Sequence, residues 1–189
     1  MDASPILAIL QPLVPAARIV PVPSVDMPTL AVERADLVDV CRALRDAPAL
    51  QFALFVDVTA VDRLPAEPRF ELVYHLACLG EAYRQPGGAA PARRLRLKIG
   101  VPGQDLRAPS LTGLWPAAGW PEREVFDLFG IIFDGHEDLR RILMPDDWQG
   151  YPLRKDYPVQ IRKDTPAWEP LQLTPEEFAA TIRRQRERS

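Results

Sequence analysis

Arg94-Leu95-Arg96-Leu97-Lys98-Ile99-Gly100-Val101 is the stretch from which the fold is read. Successive side chains of a strand point to opposite faces, so Leu95, Leu97 and Ile99 share one side and Arg94, Arg96 and Lys98 the other. This predicts a strand with one buried face and one basic, solvated face. Residues 69–79, beginning Phe70-Glu71-Leu72, predict a second strand. Residues 52–61, dense in β-branched and aromatic side chains, predict a third that is mostly buried. Upstream, Leu37, Val40, Cys41 and Leu44 recur at three- and four-residue spacing within 34–46, which predicts an amphipathic helix ended by Pro48. Ser4 as a cap and Pro5 as first helical position open a short helix over about 6–13, and 18–22 and 29–32 read as extended. A helix followed by three consecutive strands predicts the α+β class, with helices packed on a mostly antiparallel or mixed sheet.

Composition excludes several functions. The chain has 189 residues, 47% of them hydrophobic and 26% charged, which is an ordinary soluble balance. Its apolar runs, such as 52–56, fall far short of the roughly 20 residues of a membrane helix. The first residues lack the basic start and apolar core of a secretory signal and carry no Arg or Lys, so a cytosolic chain is expected. A net charge of −3 supplies no general attraction to nucleic acid. Cys41 and Cys78 stand 37 positions apart, outside any iron–sulfur or zinc spacing, and read as reduced, buried thiols. Two histidines, His75 and His136, cannot make a His-rich metal centre.

Beyond Leu143 the texture changes. Pro145, Pro152, Pro158, Pro166 and Pro170 recur too closely for regular elements, yet Trp148, Tyr151, Tyr157 and Trp168 lie between them. Disordered linkers are poor in aromatics, so an extended arm whose rings bury against something else is expected. The predicted division is a body over 1–143 and an arm over 144–189 that ends in a short helix. Thr174, Pro175 and Glu177 supply that helix's capping box, and Arg183, Arg184 and Arg186 suit its C-terminal dipole.

The densest chemistry lies in 120–158. Residues 120–130 predict a short helix with Pro121 in its first turn, acids at its N-terminal end and Gly130 as a left-handed stop. Arg123 and Asp127 are four apart and can pair on its surface. His136 and Arg140 would face the same way if their segment is helical. Three readings compete for Glu122, Arg123, Glu124, Asp127, His136, Arg140 and Arg141. An acid–base or metal site would use Glu122, Glu124, Asp127 and His136, although no second histidine lies nearby. A solvated helix face suits Glu122 but not the tight alternation with Phe126, Phe129 and Phe133. A structural ion-pair network at a subunit interface, with arginine and aromatic anchors, fits the composition best. No GxSxG, Walker A, GxGxxG or HExxH pattern occurs. Ser110 reads as a cap and His75 as a structural histidine within a strand.

Glu122-Arg123-Glu124, Asp127-Leu128-Phe129-Gly130-Ile131, Gly135-His136, Leu139-Arg140-Arg141-Ile142-Leu143, Pro145-Asp146-Asp147-Trp148 and Pro152-Leu153-Arg154-Lys155-Asp156-Tyr157-Pro158 follow in that order. The run resembles the 30 kDa subunit family of respiratory complex I, C in that complex's lettering. Asp57-Val58-Thr59-Ala60-Val61-Asp62, Ser110-Leu111 and Trp115 extend the likeness upstream. Glu137-Asp138 and Tyr151 depart from the pattern, where Pro-Asn or Pro-Asp and a His are common. The resemblance implies a cofactor-free subunit of the peripheral arm of NADH:quinone oxidoreductase, with FMN, iron–sulfur clusters and quinone held by partner subunits. It further implies an arm wrapped on the quinone-site subunit (D in the same lettering), other contacts to iron–sulfur subunits such as B and I, and a place on the cytoplasmic face of the inner membrane. Trp148, Arg154, Lys155, Asp156 and Tyr157 then join the interface network. Sister complexes with another electron donor use the same subunit, and a freestanding metal-dependent enzyme is the rival from another class.

Overall fold

The computed structural model describes residues 2–80, 92–158 and 174. Five strands, β1 (Ile19–Val22), β2 (Thr29–Val32), β3 (Leu54–Asp62), β4 (Phe70–Cys78) and β5 (Arg93–Val101), form one sheet in the order β1-β2-β5-β4-β3. All neighbours are antiparallel except β2 and β5, which run parallel, so the sheet is mixed. The register sets Leu72 opposite Ile99, Tyr74 opposite Leu97 and Leu76 opposite Leu95. Because side chains alternate, this aligns the buried set of both strands on one face. Against it pack α1 (Ser4–Leu10), α2 (Leu37–Asp46) and α3 (Gly119–Phe129), through Ile6 and Leu10, Leu37, Val40 and Leu44, and Val125 and Phe129. The result is a two-layer α+β body.

The opposite face of β4 and β5 is ion-paired rather than simply solvated. Glu71 takes Lys98 and Arg63, each at 2.8 Å, and Arg96 reaches Asp26 at 2.6 Å and the His75 ring at 3.2 Å. His75 therefore accepts from a guanidinium, as a structural histidine. Strand β3 corrects the mostly buried expectation: Phe55, Val58 and Ala60 are buried while Leu54, Val56, Thr59 and Val61 are exposed. It lies at the end of the sheet and carries an irregularity between Phe55 and Asp57, so only one of its faces has a core to meet. Ser4 is likewise not the cap of α1. It is the first helical residue, and Asp2 accepts its N–H at 2.8 Å. Residues Arg34–Asp36 form a single 3-10 turn ahead of α2.

Two further short strands, β6 (Arg107–Pro109) and β7 (Ile132–Asp134), pair in parallel and bring the residues before and after α3 together. Ser110 donates its N–H to the Asp134 carbonyl at 2.8 Å, which fixes the entry to α3.

The chain separates into two compact units, Met1–Tyr157 and Pro158–Ser189. The first runs past the expected body boundary at 143, because residues 148–157 hydrogen-bond extensively to α3 and the sheet, as set out below. Of the second unit only Pro158 and Thr174 are described. The expected terminal helix, with Pro175, Glu177 and its arginines, and Trp168 lie outside the described residues.

Candidate functional site

Helix α3 forms where the sequence asks for it. Its first turn holds Pro121 and Glu122, its core face Val125 and Phe129, and Gly130 ends it at φ 75° in the left-handed region. Two of its acids are fully enclosed. Glu122, which a solvated helix face would also have suited, is 0% exposed and accepts from the Ser110 hydroxyl at 2.6 Å and the Leu111 N–H at 2.7 Å. Burial raises its carboxyl above the ordinary range, against the opposing pull of the Ser110 and Leu111 hydrogen bonds.

Asp127 is also 0% exposed, and its surroundings are built differently. One carboxylate oxygen, Oδ2, accepts three consecutive N–H groups, those of Ile142, Leu143 and Met144, at 3.0, 2.7 and 2.8 Å. The other, Oδ1, takes Arg141 Nη1 at 2.6 Å. Burial would raise this carboxyl, but the Met144, Arg141, Ile142 and Leu143 hydrogen bonds together outweigh it and hold it below the usual carboxylate range. Arg141 is widely engaged in turn: it also donates to the carbonyls of Asp127, Trp148 and Gly150, each at 3.0 Å.

Residues 136–144 thus form a strap along α3. His136 Nδ1 accepts the Asp138 N–H at 3.0 Å, so Nε2 carries the proton and donates to the Gly119 carbonyl at 3.0 Å. Further along, Arg123 donates to the carbonyls of Arg140 and Arg141 at 3.1 and 3.0 Å. Asp127 then takes the amides of 142–144, so strap and helix run in the same direction.

The chain returns across the C-terminal end of α3, whose last carbonyls have no partner within the helix. Leu153 donates its N–H to the Leu128 carbonyl at 3.1 Å and Arg154 Nε donates to the Phe129 carbonyl at 2.6 Å. No basic residue lies in the helix's own last turn. Arg141 and Arg154 supply the positive charge that its dipole favours there. Tyr151 sits between them, 5.4 Å from the Arg141 guanidinium and 4.4 Å from that of Arg154, and meets Phe126 edge-on. A side chain at Gly130 would collide with Arg154 and the Tyr151 ring. The segment then fastens to the sheet. Arg69 bridges buried Asp62 at 2.8 Å and Asp156 at 2.7 Å, while the Lys155 N–H reaches Asp62 at 2.9 Å. The Arg69 hydrogen bonds hold the Asp62 carboxyl far below its ordinary range despite burial. Tyr157 lies over Gly150 and donates its hydroxyl to the Gln149 carbonyl at 3.2 Å.

Most of the residues singled out from sequence therefore converge on α3 and its strap, but several pairings differ. Arg123 does not pair with Asp127: the carboxylate turns inward and the guanidinium lies over Trp120, 5.0 Å from its ring. Residues 136–140 are not helical, so His136 and Arg140 do not share a helix face. Arg140 pairs with Asp138 at 2.9 Å. Glu124 is exposed and stands outside the network. The four groups of the acid–base or metal reading do not meet: each of Glu122, Asp127 and His136 has its own backbone partners. Among the described residues no three His, Cys, Asp or Glu side chains could hold a metal ion. The bridging role of Arg69, the seat of Tyr151 between two guanidinium groups and the capping role of Arg154 carry no signal in the sequence. Arg69 and Asp62 stand seven apart, meeting only once β3 and β4 pair.

Comparison with known proteins bears on the same region. The family model of the respiratory-chain NADH dehydrogenase 30 kDa subunit matches residues 30–163. An NADH-quinone oxidoreductase subunit of Roseiflexus sp. (strain RS-1) is 51% identical over 123 residues, covering 65% of this chain and 65% of that protein. The subunit of the same name from Geobacter sulfurreducens is 50% identical over 133 residues, covering 70% and 75%. The match thus spans just under two thirds of the Roseiflexus relative's length. Among solved structures, a trypsin-resistant fragment of Nqo5 superposes with a TM-score of 0.55 at 28% identity, covering 74% of this chain and all of the fragment. A chain of the membrane-bound sulfane sulfur reductase, an archaeal respiratory membrane complex, superposes with a TM-score of 0.63 at 27% identity, covering 82% and 85%.

Proposed function

This chain belongs to the 30 kDa subunit family of respiratory-chain NADH dehydrogenases, and from that premise we propose that it is a cofactor-free structural subunit of a proton-translocating NADH:quinone oxidoreductase. In this reading it sits in the peripheral arm on the cytoplasmic face of the inner membrane. It docks on the quinone-site subunit, near iron–sulfur subunits such as B and I. Electrons pass from NADH through FMN and iron–sulfur clusters to quinone on those partners, and this chain contributes assembly and rigidity.

The observation that carries the reading is where the site's charge goes. Asp127 and Arg141 bond to each other, and they, Arg123 and Arg154 spend their other recorded hydrogen bonds on this chain's own backbone. A catalytic centre needs a perturbed group open to a reactant; here the perturbed carboxylates of Glu122 and Asp127 are enclosed and occupied. No helix among the described residues is long and apolar enough to cross a membrane, which is consistent with attachment through partners.

The likeness to a chain of the membrane-bound sulfane sulfur reductase favours one second reading: the same subunit in a sister complex with another electron donor. Affinity purification of the tagged chain from gently solubilised membranes separates the two. Recovery with flavin and iron–sulfur subunits of an NADH-oxidising module is expected, whereas a different input module would establish the sister complex. Recovery of the chain alone would overturn both.

A further inference from the structure

Trp120 is the exception to the enclosed character of this region. It stands in the first turn of α3 with 66% of its surface exposed, although tryptophan gains more than most residues from burial. Its ring is not loose. The Arg123 guanidinium lies over it at 5.0 Å and is itself fixed by the carbonyls of Arg140 and Arg141. Beside the ring opens a cleft of about 490 Å³, lined by Thr112, Gly119, Arg123, His136 and Arg140 among others. Leu143, 60% exposed, is presented in the same way, since its amide is held by Asp127 at 2.7 Å. An α-helix rises about 1.5 Å per residue, so the positions of Trp120 and Asp127 are roughly 10 Å apart. Leu143 is thus held beside the later turns of the helix that Trp120 opens, and both apolar groups stand exposed along it. They are apolar side chains on prefixed backbone, which is how interface anchors avoid the entropic cost of ordering on contact.

The charge of this region is mostly acidic. Five exposed carboxylates, Glu124, Glu137, Asp138, Asp146 and Asp147, stand on α3 and residues 136–147, against exposed Arg140, which pairs with Asp138, and half-buried Arg123 over the Trp120 ring. A complementary surface therefore presents an apolar pocket ringed by lysine or arginine.

We infer that the Trp120–Leu143 face is a docking surface for a neighbouring subunit of the respiratory complex, one that receives the Trp120 ring in an apolar pocket with a basic rim. The inference rests on the proposed subunit role and adds to it the face used and the chemistry of what covers it. It uses the outward side chains of α3 and the strap, whereas Glu122 and Asp127 turn inward.

The test uses the full chain expressed in cells that assemble the complex. Trp120→Ala, and separately the double reversal Asp146→Lys with Asp147→Lys, is expected to lower the amount of chain recovered in the complex at least ten-fold. The isolated full-length variants should melt within a few degrees of the parent, because these side chains are exposed. A photo-crosslinking residue at position 120 should capture a different subunit, at a peptide containing Lys or Arg. Capture of a second copy of this chain, or undiminished assembly of both variants, would overturn the inference. If the parent chain itself recovers no respiratory subunit, it is the subunit reading that fails. If the parent assembles and the variants do so equally, only the docking face is wrong.

Discussion

The sheet and the strap are held by different physics. Strands β4 and β5 present Phe70, Leu72, Tyr74, Leu76, Leu95, Leu97 and Ile99 to one apolar core, each almost wholly buried. The strap over 136–144 and its return over 148–157 bury little of that kind. They are held by Asp127, Arg141, Arg154 and the Arg69 bridge, mostly gripping main-chain atoms. Apolar burial is non-directional and scarcely affected by acid or moderate salt, whereas buried charged hydrogen bonds are directional and depend on protonation. Two regions in one compact unit should therefore respond differently to the same insult.

The largest separation is expected from Asp127→Ala. Removing a buried carboxylate leaves Arg141 and three amides without their acceptor, at a cost of about 3–5 kcal/mol. Hydrogen exchange should accelerate at 142–144 well before it does in β4. Equal acceleration in both regions would mean that the strap is not a separate layer. Leu72→Ala tests the converse: it should cost about 2–5 kcal/mol through the lost burial and the cavity left behind. Its effect on the melting temperature should be insensitive to salt, and strap and sheet should fail together.

Acid should discriminate next. The Asp127 carboxyl is depressed in the folded chain, so its stabilisation is complete above the ordinary aspartate value and is lost as pH falls through the lower folded one. Asp62 is depressed in the same direction. From neutrality down to about pH 4 the strap should stay in place, since unperturbed aspartates titrate near 3.9. Below that, tryptophan fluorescence should change before the far-ultraviolet dichroism of the sheet, and simultaneous loss of both would argue against the distinction. Glu122 carries the opposite sign. Its raised carboxyl favours folding in acid, and that contribution declines as pH rises through the folded value. Glu122→Gln should therefore flatten this part of the stability profile, and an unchanged profile would show that Glu122 does not titrate in this range. The smallest effect belongs to Arg140→Glu. Its side chain is 71% exposed and its Asp138 partner 56%. Loss of such a pair should cost less than about 1 kcal/mol of chain stability, while complex assembly reads its contribution to docking.

The same division governs what was legible beforehand. The alternation at 94–101 and the spacing of Leu37, Val40, Cys41 and Leu44 report directly on burial, so the central strands and α2 were readable from local pattern. Buried charge is harder to anticipate. An acid near a helix N-terminus such as Glu122 is equally at home in solvent, and only the approach of Ser110 and Leu111 encloses it. Asp127 invited a local partner four residues away in Arg123, yet Arg141 reaches it from the strap. The strap itself cannot be a helix here. The amides of 142–144 that a helix would commit to carbonyls four residues back are given to Asp127 instead. That competition is settled in three dimensions and leaves no periodic trace. The family resemblance did point to the strap and its return, through Leu139–Leu143 and Pro152–Pro158, without revealing which atoms meet.

Asp127 recognises main-chain amides, and amides are the same whatever side chain follows them. Positions 142 to 144 can consequently accept many apolar or polar replacements while the strap keeps its path, whereas Asp127 and Arg141 have almost no substitutes. The molecule thus separates a part that must stay constant from a part that can vary. Descendants of this chain could adjust the outward chemistry at position 143 to suit a changing neighbour without re-evolving the scaffold that presents it.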